Sequence, residues 1–538
     1  MKGDPLMVDS SRPHQDSPVG DSPANVTDVD LDDPATREAI SGGRTEPSLP
    51  DRGFLGHPAG LGTLFNAELW ERFSYYGMRA ILAYYLYDTA TNGGLGVEQS
   101  IALAIVATYG ASVYLLSVLG GWLADRVIGA FKATLFGGIV IMAGHIFLSV
   151  PAEAFSWLGI AVVALGTGLQ KASVSSVVGQ LYDPQDGRRD SGFSIFYMSI
   201  NIGSFFSPFV VTFLKDRWGY HAGFSAAAIG MALGLIGMFL FRKKLRGAGS
   251  RPTNPLTREE IPSVVRLVGG SAVVIAAVFG ISFAVSADNP TAIINGVTAL
   301  SVITALGVLV TMFKSPKVTA RERSHLQAYV PLWIGAVLFW MIFEQAASKM
   351  AAFAADRTDL GEVFGIGVSA EFFQSVNPLF IVLLAPVTAA LWMKRAGRFP
   401  GTGAKFSIGV LLAGLSFVLL AYYSHLWPSG PTAPMWALAS VFVIQTIGEL
   451  CLSPVGISAT SKLAPAAFTT QSMALWFLAS AVGQSAAAQA IRLMEGMGDT
   501  TFFLTLGLIT AGFSLVLMAL TPWIARHIKD VDERVTTA

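Results

Sequence analysis

From about residue 55 to residue 525 the chain alternates apolar runs of roughly 20 residues with short polar breaks, the length an α-helix needs to cross a bilayer. The pattern predicts spans near 58–87, 99–124, 132–150, 155–181, 191–213, 220–241, 264–287, 291–313, 328–351, 369–393, 404–424, 434–461, 468–492 and 500–525. About fourteen transmembrane helices make this an all-α polytopic membrane protein. Residues 1–54 break the pattern. They are rich in Asp, Ser, Pro and Thr and hold no apolar stretch of signal-peptide length, so they are expected to form a disordered cytoplasmic tail, and residues 527–538 a second short one.

Charge placement orients the spans. Connections after even-numbered spans carry Arg126 and Lys132, Arg188 and Arg189, the run Arg242 to Arg246, Lys314 with Arg321 and Arg323, and Lys394, Arg395, Arg398 and Lys405. Opposite connections hold few basic residues, with Lys215, Arg217, Arg357 and Arg492 as exceptions. The positive-inside rule therefore puts both termini in the cytoplasm. Charged residues are 13% of the chain, half the share of a soluble domain, and mean hydropathy is +0.55. A net charge of zero gives no sign of a nucleic-acid partner, and Cys451, the single cysteine, forms no disulfide framework. Metal-ligand spacings, phosphate loops and nucleophile elbows do not occur, so neither a cofactor nor enzymatic chemistry is expected.

Against this apolar background the charges inside spans stand out. Glu68, Glu71, Arg72 and Tyr75 fall at i, i+3, i+4 and i+7 of the first span and share one helix face. A charge at the bilayer centre costs roughly 2.5–3.5 kcal/mol on insertion scales, so this stripe must face a polar interior. It is either a path for solute or protons or an internally paired cluster. Lys171, midway through the fourth span, needs an anionic partner or a water-filled cavity, and Glu68 and Glu71 are the candidates. The basic stretch Arg242–Arg251 and the segment Lys314–His325 bracket the seventh and eighth spans, a pair with almost no charge besides Arg266 and Asp288 that reads as an inserted hairpin.

Two six-span halves joined by a long cytoplasmic connection resemble the major facilitator superfamily, with a substrate site between the halves. The expected units are 55–250, the linker and hairpin 251–325, and 326–526. Gly120-Gly121-Trp122-Leu123-Ala124-Asp125-Arg126 is similar to the superfamily's loop signature, in which Asp125 and Arg126 pin a gate. Within that superfamily, Glu68-x-x-Glu71-Arg72-Phe73-x-Tyr75-Tyr76-Gly77, Phe196-Tyr197-x-x-Ile200-Asn201-x-Gly203-Ser204 and Gly448-Glu449-Leu450-Cys-Leu-Ser453-Pro454-Val-Gly456 resemble signatures of the proton-dependent oligopeptide transporter family, over about Gly56 to Pro522.

The resemblance implies a proton-coupled symporter importing di- and tripeptides through the plasma membrane, by alternating access. Proton coupling would rest on Glu68, Glu71, Arg72, Lys171 and Glu344. Arg72 and Lys171 would take the peptide carboxylate, Asn201, Asn377 and Glu449 its amine, with Tyr75, Tyr76, Tyr114, Ser453 and Trp476 completing the pocket. Gly203, Pro208, Pro454 and Gly456 loosen helices in a way that suits gate bending. Ser173 departs from the family pattern, where asparagine is common. His145 reads as a packing histidine with its hydrogen bonds satisfied, and His57 as a residue of the cytoplasmic mouth beside a helix-starting Pro58. The alternatives are a same-family carrier for another anion or zwitterion, such as nitrate or a peptide-like drug, and a peptide sensor that moves no solute.

Overall fold

The computed structural model describes residues 53–183, 186–363, 365–394 and 401–528. The tail 1–52, Arg395, Arg398 and the terminal segment 529–538 lie outside them. The helices are α1 (Ala59–Tyr87), α2 (Gln99–Leu123), α3 (Ala130–Leu148), α4 (Glu153–Gly179), α5 (Arg189–Trp218), α6 (Tyr220–Leu240), α7 (Ile261–Val285), α8 (Asn289–Lys314), α9 (Ala320–Phe343), α10 (Lys349–Arg357), α11 (Val376–Lys394), α12 (Thr402–Leu426), α13 (Met435–Leu463), α14 (Thr469–Leu493) and α15 (Asp499–His527). Among the described residues, thirteen helical segments, one of them running through α9 and α10, are long and apolar enough to cross a bilayer. Helix α1 is long enough, at 29 residues, but carries Glu68, Glu71, Arg72 and Arg79. With it the expected fourteen are present.

The helices form a major-facilitator arrangement. In the first half α1 packs on α5 and α6, and α4 lies between α2 and α3; in the second, α12 joins α13 and α15, and α14 leans on α9. Helices α2 with α14 and α5 with α11 meet across the halves. Close approach requires small residues at particular points. A Cβ on Gly203 of α5 would stand 2.3 Å from the Leu69 carbonyl oxygen of α1, so α5 can lie against the charged helix only with glycine there. The inserted α7 and α8 sit outside both halves. Helix α8 packs on α14 and α2, whereas α7 packs on α8 and is otherwise exposed.

Two helices break where polar chemistry is concentrated. After Phe343, α9 tightens into a 3-10 turn over Glu344–Ala347, and Ser348 (φ −125°, ψ −101°) redirects the chain into α10. A 3-10 segment, Ala370–Ser375, likewise precedes α11. Pro58 is the N-cap of α1 rather than its first helical residue. His145 differs from its expectation: it is fully buried in α3, and among the described residues neither ring nitrogen has a hydrogen-bond partner.

Candidate functional site

Helix α1 carries two buried arginines seven residues apart, which helix periodicity places on one face. Arg72 Nε lies 3.1 Å from Glu68 Oε1 and also pairs with Glu71. Glu68, Glu71 and Arg72 are nearly sealed from solvent, at 3%, 0% and 5% exposure, and form an ion cluster in which two carboxylates share one guanidinium, with one oxygen of Glu68 and both of Glu71 making no hydrogen bond among the described residues. Two turns on, Arg79 reaches out of its own half. Its guanidinium donates to the Glu344 backbone carbonyl at 3.1 Å and pairs with the Glu344 carboxylate. Glu344 closes the C-terminal end of α9, where unpaired carbonyls concentrate partial negative charge, so a cation is favoured there twice over.

Between the halves lies a cavity of about 200 Å³. Arg72, Tyr76, Arg79, Tyr114, Lys171 and Asn201 reach it from the first half; Glu344, Asn377 and Glu449 reach it from the second. The Lys171 ammonium stands 4.2 Å from the centre of the Tyr114 ring and 5.9 Å from that of Tyr75. It makes no ion pair among the described residues. The pairing of Lys171 with Glu68 or Glu71 is therefore not made in this state: Arg72, one turn or less away on the same helix, takes both acids, and π-faces hold the lysine instead. Across the cavity, the Asn377 amide donates to Glu449 Oε2 at 2.9 Å and to Thr446 Oγ1 at 3.0 Å. Asn377 thus holds the carboxylate in place, leaving the second oxygen of Glu449 without a hydrogen bond among the described residues. Asn201 donates to its own helix, at the Tyr197 carbonyl, 3.0 Å.

Three expected lining residues sit elsewhere. Tyr75 is buried behind the cavity, 5.4 Å from the Arg72 guanidinium. Trp476 packs into the notch left by Gly456, where a Cβ would come within 2.0 Å of the indole, and against Phe406. Ser453 does not line the cavity, and its buried hydroxyl has no partner among the described residues. Gly456 therefore has a packing reason independent of bending. Pro208 and Pro454 do lie inside α5 and α13. Conversely, Tyr197, Trp340, Gln374 and Gln445 line the site without having been singled out. Arg79 had a readable signal, a mid-span charge seven residues beyond Arg72, and Tyr197 stands in the motif Phe196-Tyr197-x-x-Ile200-Asn201; the glutamines had none beyond being polar in apolar segments.

One end of the molecule is tied across the halves. Tyr84 donates to the Ala351 carbonyl at 3.0 Å, Gln99 to Asp356 at 2.9 Å, and Lys215 pairs with Glu371 at 2.5 Å. Lys215, an exception to the charge bias, is thereby explained as an interhalf tie. Toward the other end a second cavity, about 670 Å³, is lined by Lys171, Ser173, Asp125, Arg126 and Gln471. At its rim Arg126 pairs with Glu260 of the linker at 2.6 Å, and Asp125 accepts from Thr253 at 3.2 Å.

This is the architecture of a carrier with a charged chamber at the meeting of two helix bundles. Residues 131–503 match the POT family, and the chain belongs to it. It is 46% identical over 486 residues to the uncharacterized transporter YclF of Bacillus subtilis (strain 168), covering 90% of this chain and 98% of that protein. It is 40% identical to the di-/tripeptide transporter of Lactococcus lactis subsp. lactis (strain IL1403), covering 89% and 98%. Among solved structures, a POT family transporter in complex with a thioalcohol-conjugated peptide superimposes with a TM-score of 0.84 at 40% identity, covering 90% and 99%. The protein is a multi-pass membrane transporter.

Proposed function

We propose that the protein imports di- and tripeptides with protons across the bacterial inner membrane, both termini lying in the cytoplasm. The observation that carries this reading is the polarity of the chamber: Arg72 and Lys171 at one pole, and the Asn377-held Glu449 at the other. A zwitterion bridging the halves satisfies both. Its carboxylate would engage the Lys171 ammonium, which no acid occupies here, and its amine the open oxygen of Glu449. With the charge bias setting the cytoplasmic face, the Tyr84, Gln99 and Lys215 ties close the outer end, and the larger cavity opens inward. This is the inward-facing member of an alternating pair.

Opening the outer end requires Arg79 to leave Glu344. Protonation of Glu344 removes the charge part of the tie and leaves only hydrogen bonds to the guanidinium, so proton entry favours outward opening. The substrate assignment is tested with blocked peptides. An N-acetylated dipeptide and a C-amidated one should each compete at least about tenfold more weakly than the free dipeptide, since a buried site built to pair a charge rejects the analogue lacking it. In Glu449→Gln the acetylation penalty should shrink while the amidation penalty remains. Equal competition by free and blocked peptides rejects the reading.

A further inference from the structure

The inserted hairpin is held tightly at one end and splayed at the other. Near its turn, a Cβ on Gly296 of α8 would stand 2.6 Å from the Phe279 ring of α7, and Asn295 donates to Ser286 Oγ at 3.0 Å. Toward the opposite end α7 and α8 part, and with the start of α14 they enclose a groove of about 650 Å³ on the membrane-facing surface. Val274, Leu300 and Ile303 give it an apolar floor, and Arg266 stands at its mouth. The two glycines inside it, Gly270 and Gly307, face open space: a Cβ on either would meet nothing within 4 Å.

We propose that this groove is a binding site for one anionic phospholipid, whose phosphate pairs with Arg266 and whose acyl chain lies along Gly270, Val274 and Gly307. Arg266 is exposed, and among the described residues its guanidinium bonds only to its own helix, at the Pro262 carbonyl and Ser263 Oγ, both 3.3 Å. No acid pairs with it among the described residues; Glu260, six residues earlier, is engaged by Arg126. Five residues into α7 from Ile261, at a rise of about 1.5 Å each, it lies about 7 Å below the helix start, where a long side chain extends to the headgroup layer. From Arg266 to Ile275 the groove runs about 13 Å along the helix, a length suited to hydrocarbon rather than to a headgroup alone. An apolar groove facing a bilayer is filled by lipid tails in any case, because an empty one forfeits dispersion contacts. The unpaired guanidinium at its mouth adds a preference for negative headgroups, as basic pockets between membrane helices do.

The test is native mass spectrometry of the full chain reconstituted in equal phosphatidylglycerol and phosphatidylethanolamine. The wild-type protein should retain one phosphatidylglycerol over phosphatidylethanolamine by about fivefold. Arg266→Gln should bring the two lipids to equal retention. Gly270→Leu, filling the groove from within, should reduce retention of both, while Gly269→Leu, one residue away and outside the groove, should leave wild-type behaviour. An unchanged headgroup preference in Arg266→Gln, or identical retention in the two leucine variants, overturns the proposal.

Discussion

Arg72 and Arg79 share one face of α1 and are buried alike, yet their partners give them opposite roles. Arg72 finds both of its acids on its own helix, so moving one half relative to the other leaves that cluster intact. Arg79 finds its acid 265 positions away in the other half, and that bond cannot survive separation of the halves at that end. An ion pair within a helix stabilises a rigid body, whereas one between two bodies reads out their arrangement. The comparison also separates stability from coupling, which variants can then probe one at a time.

The largest effect on stability is expected from Arg72→Ala, which leaves two acids enclosed without their cation. Breaking such a buried pair costs about 3–5 kcal/mol, so the detergent-solubilised protein should melt at clearly lower temperature and transport should be lost with it. An unchanged Tm would mean that the cluster is hydrated and not the rigid unit described.

Glu344→Gln should cost less, because the amide oxygen and the backbone carbonyl of residue 344 still accept from Arg79. Its signature is functional. Uphill peptide accumulation should disappear while peptide-for-peptide counterflow persists, the neutral amide standing permanently in for the protonated acid. Loss of both activities in a well-folded variant would reduce Arg79–Glu344 to a structural tie.

Lys215→Met removes an interhalf pair whose lysine is partly exposed but whose acid, Glu371, is buried, so about 1–3 kcal/mol is expected for the carboxylate left unpaired. The change should appear as easier opening of the tied end, measured as faster labelling of a cysteine placed there, with a modest fall in Tm. Labelling no faster than in the parent would assign the closure to Arg79–Glu344 alone. The smallest effect on stability belongs to Lys171→Ala, since no ion pair is lost. Proton-driven uptake should nevertheless be abolished; full uptake would remove Lys171 from the mechanism.

Much of the site was readable because its elements are local. The spacing of Glu68, Glu71, Arg72 and Tyr75 depends only on the helical period, and the polar interruptions at Lys171, Glu344, Asn377 and Glu449 are conspicuous in apolar runs. The Lys171 expectation failed at the step from position to partner. The sequence shows two acids and three cations, Arg72, Arg79 and Lys171, inside these spans of the first half but not which cation reaches the acids first, and Arg72 has the advantage of lying within one turn of both. Trp476 and Ser453 failed for a related reason. Their helix was correct, but the rotation of α14 and α13 about their axes is set by contacts such as Trp476 against Gly456.

Run length, charge bias and periodicity by themselves determined the number of spans, the two halves, the inserted hairpin and the face of α1 that must be sheltered, because these follow from the cost of placing polar groups in hydrocarbon. Only the tertiary structure decided that Arg79 holds Glu344, that Asn377 orients Glu449, that Lys215 ties to Glu371, and that the hairpin splays around Arg266. Each joins residues far apart in the chain through the packing of whole helices, and no local periodicity carries that information.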